Sequence, residues 1–163
     1  MNEFTHLDKN GSVRMVDVTD KDITRRTAVA GGSIQMKRST LEKITSSAVK
    51  KGNVLEAARI AGVMAAKKTA DLIPMCHPLP LTHVRVDFTP DLENNCVAIE
   101  AEASLAGQTG VEMEALTAVS AAALTIYDMC KSYDRAMVIS DIHLKSKSGG
   151  KSGSFVAERY SDN

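Results

Sequence analysis

Apolar and polar positions recur with two different periods along this chain, and the changes of period mark its elements. Val13 to Val18 and Thr27 to Met36 carry short β-like runs, the second crossed by Gly31-Gly32, where a bulge or turn is expected. Ser39 to Lys50 sets Leu41, Ile44, Ala48 and Val49 at helical spacing and closes on Lys50-Lys51-Gly52, cations followed by glycine at a helix end. Asn53 and Glu56 make a capping pattern for a second helix through about Asp71, which Pro74 stops. His83 to Phe88 and Val97 to Glu102 alternate with period two around the turn-rich Pro90 to Asn95, so they read as a hairpin with one apolar face. Glu112 to Cys130 is one long helix, with Leu116, Val119, Ala123 and Ile126 three or four apart. Ala136 to Leu144 is the final strand, and Ser146 to Ser154 is a loop of Gly, Ser and Lys. The order β-α-β-β-α-β, with its first helix doubled, predicts an α+β fold: a ferredoxin-like antiparallel sheet with helices packed on one face. No repeat or linker divides the pattern, so residues 13–155 form a single domain between frayed ends at 1–12 and 156–163.

Composition narrows the class. The 163 residues are 44% hydrophobic and 25% charged, which is globular, and 20 basic residues balance 20 acidic ones. A general nucleic-acid binder would carry a basic excess, so nucleic acid is not an expected partner. No apolar run reaches the roughly 18 residues of a membrane span, and Met1 to Ser12 is too polar for a secretory signal, so a cytoplasmic protein is expected. Cys76, Cys96 and Cys130 are odd in number and contain no CxxC, which points to reduced thiols and no metal site. With few aromatic residues the core relies on small side chains, which bury little area at about 25 cal/mol per Å². Oligomerisation would supplement such a core.

The zero charge is a cancellation. From Lys37 to Lys68 eight basic residues face two acidic ones, a net +6, whereas Val86 to Cys130 holds eight acidic residues and no Lys or Arg, a net −8. Clustered solvated faces explain much of this. Contact between the two stretches would nevertheless be favourable.

Three places hold candidate chemistry. In Met75-Cys76-His77-Pro78-Leu79-Pro80 the prolines restrict the backbone, so His77 is presented rigidly to a phosphate or a purine-like edge, or serves as a proton shuttle; a packed turn is the plainer reading. On the long helix, Glu112 and Glu114 occupy the first turn, where the dipole favours carboxylates, and Asp128 and Lys131 share a face at the other end. These read either as a cap and a surface ion pair or as acid/base groups at a cleft. Lys147-Ser148-Gly149-Gly150-Lys151-Ser152-Gly153 has the glycines and cations of a phosphate-binding loop, but Lys145 stands where a Walker A motif needs its first glycine. A solvated tail is the alternative. On the residues alone, a nucleotide-binding module, an assembly protein and an enzyme all remain open.

Together with Thr109-Gly110-Val111-Glu112-Met113-Glu114-Ala115-Leu116-Thr117 and Asp128-Met129-Cys130-Lys131, these strings resemble the molybdenum cofactor biosynthesis protein C family, the cyclic pyranopterin monophosphate synthases. The likeness runs from about Val13 to Phe155. It implies a lyase that converts (8S)-3′,8-cyclo-7,8-dihydroguanosine 5′-triphosphate, supplied by an upstream radical enzyme, to cyclic pyranopterin monophosphate and diphosphate. It also implies a ferredoxin-like subunit in a homohexamer, a trimer of dimers, with the site at a subunit interface. Position by position, the resemblance makes Asp128, Lys51 and Lys131 catalytic, and Met75, Cys76, His77, Met113 and Glu114 substrate contacts. Arg26, Lys147 and Lys151 become phosphate-binding cations, with Asp17 and Glu112 as polar members of the same pocket. No cofactor is fixed by these motifs, and magnesium could accompany the triphosphate or diphosphate. Ser132-Tyr133-Asp134-Arg135 reads as ordinary variation outside the motifs.

Overall fold

The computed structural model describes residues 11–158; residues 1–10 and 159–163, most of the two terminal segments set apart above, lie outside the described residues. Five strands, β1 (Thr24–Gln35), β2 (His83–Asp91), β3 (Cys96–Gly107), β4 (Val138–Ser148) and β5 (Phe155–Val156), form one sheet in the order β2-β3-β1-β4-β5. Every pair is antiparallel. The first four strands are in the ferredoxin-like order, and the expected α+β architecture is observed. Helices α1 (Arg38–Thr45), α2 (Val54–Ala66), α3 (Thr69–Leu72) and α4 (Glu112–Cys130) complete the chain, with α4 packed on β1, β3 and β4, and α2 on β2 and α4.

Small residues let these layers approach. On the covered face of the sheet, Ala28, Ala30 and Ile34 of β1 lie opposite Ala103, Ala101 and Val97 of β3, all buried. A Cβ at Gly32 would come within 2.7 Å of Val119 Cγ1, so the glycine allows α4 to rest directly on β1. Gly62 has the same role between α2 and α4, where a Cβ would meet Ala118 O at 3.0 Å. The other face is polar: Lys145 pairs with Glu100 at 2.6 Å, and Arg85 lies 3.7 Å from both Glu100 and Glu102. The two polarised stretches do meet, through Lys51 with Asp128 at 3.4 Å and Arg59 with Asp87 at 3.2 Å.

Several boundaries differ from those the periodicity predicts. Val13 makes only an isolated bridge, and the rest of Val13 to Val18 is not a strand. β1 runs unbroken through Gly31-Gly32; the register against β4 shifts between Val29 and Ala30 and between Gly31 and Ser33, and both extra residues belong to β4. α1 ends at Thr45 rather than Lys50, because Thr45 and Ser46 hydroxyls donate to Glu42 O and Ser47 takes a left-handed φ of 56°. Asn53 caps α2 as expected, its side chain accepting from the Glu56 N–H at 3.2 Å. The helix stops at Ala66, however, and the Thr69 hydroxyl donates to Ala66 O at 3.0 Å, opening α3 as a separate turn. β4 continues to Ser148, so Ser146 to Ser148 belong to a strand and the Gly/Lys loop is shorter than predicted.

Candidate functional site

A cavity of about 500 Å³ opens where the first turn of α4, the proline-bounded loop, β1 and the end of β4 converge. Eight of the ten expected substrate-site residues line it: Met75, Cys76, His77, Glu112, Met113, Glu114, Arg26 and Lys147. Each is delivered by a local feature. Val111 is the N-cap of α4, and Glu112, Met113 and Glu114 make its first turn. His77 Nε2 lies 2.8 Å from Val16 O; a carbonyl only accepts, so Nε2 carries the proton of this bond and Nδ1 is the ring nitrogen left to face a ligand. The same bond draws the N-terminal stretch over the cavity, where Val16, Val18 and Lys21 join the lining.

Arg26 is held on the opposite wall. Its Nε donates to Gly107 O and its Nη2 to Gln108 O, both at 3.2 Å, and a side chain on Gly150 would run into the guanidinium. Gly149 and Gly150 have φ of 99° and 75°, so the glycine pair serves both the turn and the close approach to Arg26. Lys147 Nζ donates to Glu112 Oε1 at 2.7 Å, and Gly110 leaves room for that carboxylate to fold back. A cation and its counter-charge are thus paired inside the cavity.

Glu114 is 3% exposed. Burial, assisted by the neighbouring Glu112 charge, raises its carboxyl from an ordinary 4.5 to about 7. Glu114 therefore exchanges a proton near neutrality. Cys76 is shifted upward by burial and by Glu114, which keeps it a thiol. A second depression of about 440 Å³, edged by Lys67 and Lys68, shares His77, Leu79 and Glu114 with the first. Among the described residues, no group of three or more His, Cys, Asp or Glu side chains is arranged to hold a metal ion, and no helix is long and apolar enough to cross a membrane.

The other predicted residues are elsewhere. Asp17 does not line the cavity: its carboxylate accepts from the Thr19 N–H and hydroxyl at 2.9 and 2.7 Å, and these bonds lower its pKa. Lys151 is exposed in the loop after β4, while its neighbour Ser152 reaches the cavity. Asp128, Lys51 and Lys131 form a separate cluster at the far end of α4, about 24 Å along the helix from Glu112 at 1.5 Å per residue. There Lys131 Nζ donates to Asp128 Oδ1 at 2.7 Å, and Lys51 Nζ donates to Asp128 O at 2.9 Å. Lys131, and then Lys51, hold the exposed Asp128 carboxyl below the usual range.

The sequence profile of the MoaC family matches residues 15–150, which include both clusters and the glycine pair. The chain belongs to the MoaC family. Among its relatives, the cyclic pyranopterin monophosphate synthase of Desulforapulum autotrophicum is 75% identical over 160 residues, covering 98% of each chain. That of Desulfatibacillum aliphaticivorans is 65% identical over 158 residues, 97% of this chain and 99% of the relative. That of Thermoanaerobacter sp. is 58% identical over 155 residues, 95% and 98% respectively. In this MoaC chain Ser148, Gly149 and Ser152 of the Lys/Gly motif also line the cavity, and Val16, Val18, Lys21, Thr27 and Gln108 join them from outside every candidate string. Gln108 had no local signal, since tertiary approach alone brings it to the cavity.

Proposed function

We propose that this protein is a cyclic pyranopterin monophosphate synthase, converting (8S)-3′,8-cyclo-7,8-dihydroguanosine 5′-triphosphate to cyclic pyranopterin monophosphate and diphosphate in molybdenum cofactor synthesis. Residues 13–155 form the synthase unit, and the protein works in the cytoplasm downstream of the radical enzyme that makes its substrate. The observation that carries this reading is the cavity itself, in which Lys147 and Arg26 face His77, Glu112 and Glu114, in a chain of the MoaC family. The reaction must rearrange a purine-derived ring and close a cyclic phosphate by attack of a sugar-derived hydroxyl on the α-phosphorus, with diphosphate leaving. Lys147, Arg26 and Lys151 counter the charge that develops on the phosphates. Lys147 is released to them as substrate displaces Glu112. His77 and Glu114 hold the ring, and Met75, Cys76 and Met113 pack against it. Asp17 borders the mouth, and any magnesium travels on the phosphates.

Proton transfers fall to Asp128, Lys51 and Lys131, which no motion within one subunit brings to the cavity across about 24 Å of helix. A second copy supplies them. The outward face of α4 supports this: Thr117, Ala121 and Leu124 join Met113 to Asp128 without an intervening charge, and Leu124 is 61% exposed. Ile60 and Met64 of α2 are equally exposed beside it. A two-fold axis that pairs two α4 helices antiparallel sets the Asp128 end of each against the Glu112 end of the other, and three such dimers make the hexamer. Incubation with the cyclised triphosphate tests the reading. Catalytic release of diphosphate with pterin formation is expected, abolished by Asp128→Asn, Lys51→Ala or Lys131→Ala; stoichiometric retention of intact ligand would instead reveal a binding module.

A further inference from the structure

Lys51 is carried by a segment with little regular structure to fix it. Between the end of α1 and the start of α2 the chain passes through Ser47 and Gly52, both with positive φ, and ordering such a segment costs conformational entropy at every residue. Val49 is buried and anchors its middle. The polar anchors come from the turn directly after α4, outside the family strings quoted above. Tyr133, fixed by its own N–H to Cys130 O at 2.8 Å, accepts the Lys50 N–H on its phenol oxygen at 3.2 Å. Lys43 Nζ lies 5.5 Å from the centre of its ring, within cation–π range. The next residue, Asp134, has a side chain 1% exposed and accepts the Lys37 N–H at 2.8 Å and the Ala136 N–H at 3.0 Å. Two consecutive residues therefore clamp the whole 37–51 segment, Asp134 at its beginning and Tyr133 along α1 and at its end. The clamp is built on the turn that also contains Lys131, three residues beyond Asp128.

We infer that Tyr133 is a positioning residue: by accepting the Lys50 N–H it fixes the neighbouring Lys51 ammonium on Asp128. This rests on the assignment of Lys51 to proton transfer made above. The phenol oxygen is the specific element, because the ring alone retains the packing and the contact with Lys43. Tyr133→Phe removes one hydrogen bond to a backbone amide and leaves the Lys50 N–H without its partner.

The test uses full-length Tyr133→Phe and Lys51→Ala beside the wild type, each first shown to keep the native oligomer, with the melting temperature of each measured. Tyr133→Phe should lower kcat about fivefold, the factor one neutral hydrogen bond supplies, with KM for the cyclised triphosphate within about twofold. Amide exchange measured on the peptide containing Lys50 should be faster in the variant and unchanged in the peptide containing His77. A purely structural role for Tyr133 would lower stability without separating kcat from KM. Wild-type kcat and wild-type exchange in Tyr133→Phe, with Lys51→Ala inactive, would overturn the positioning role alone. Full turnover by Lys51→Ala would overturn the assignment of Lys51, and the positioning role with it.

Discussion

Glu114 connects the chemistry of one side chain to the pH dependence of the fold. Its carboxyl titrates at about 7 in the folded chain and near its ordinary 4.5 when unfolded, so between those values the folded state keeps a proton that the unfolded state has released. The stabilisation is complete below about pH 4.5 and is lost as pH rises through about 7, by roughly 3 kcal/mol. Glu114→Gln removes the titration, and its denaturant midpoint should fall less than that of the wild type between about pH 5 and about pH 8; equal falls would show that burial does not govern this carboxyl. Sequence alone revealed Glu114 as a first-turn carboxylate and nothing of its burial. His77, Glu112 and Lys147 were legible for a related reason: each belongs to a short string with a mechanical signature, such as prolines, a helix start or paired glycines. Val16 and Gln108 had none. They reach the cavity because His77 approaches Val16 O and Arg26 donates to Gln108 O, contacts between residues far apart in the chain.

At the scale of elements, hydrophobic period predicted what has an apolar face and missed what lacks one. The hairpin and α4 bury alternating or helically spaced residues, and both appear where expected. The end of β4 does not: Lys145, Ser146, Lys147 and Ser148 alternate in charge rather than hydrophobicity, so a strand looked like a loop. α1 is shorter than its apolar spacing predicts because Thr45, Ser46 and Ser47, neutral in a spacing argument, hydrogen-bond or bend the backbone at the helix end. Packing between elements is held to a narrow tolerance by glycine. A methyl group at Gly32 would lie 2.7 Å from Val119 Cγ1 and 3.2 Å from Ile142 Cγ1. Gly32→Ala should therefore cost about 1–3 kcal/mol, and adding Val119→Ala should recover part of the loss. Thermal denaturation of the two single variants and the double variant measures this; strictly additive losses would remove Val119 as the obstacle.

For the whole molecule, the decisive fact is that the proposed machinery is divided between the two ends of α4. The polarised charge seen along the chain acquires a location from this, since Lys51 from the basic stretch meets Asp128 from the acidic one at one end, while Glu112 and Glu114 stand at the other. A composite site makes a quantitative demand. His77→Ala and Lys51→Ala disable opposite halves, so in a mixed dimer one of the two sites receives both lesions and the other neither. Random co-assembly should then restore about a quarter of wild-type activity from two inactive proteins. Inactivity of a purified mixed oligomer would argue that each subunit works alone.

The antiparallel pair proposed above would also turn α4 into a spacer. Substitutions along its outward face change how firmly two copies adhere, but an inserted residue rotates everything beyond it by about 100° and advances it about 1.5 Å. One such insertion near Ala121 would misalign both composite sites of the proposed dimer at once, because each would take the far end of the other subunit's helix. In the proposed dimer the length of α4 is therefore a shared dimension, free to vary in composition and held to a fixed number of residues.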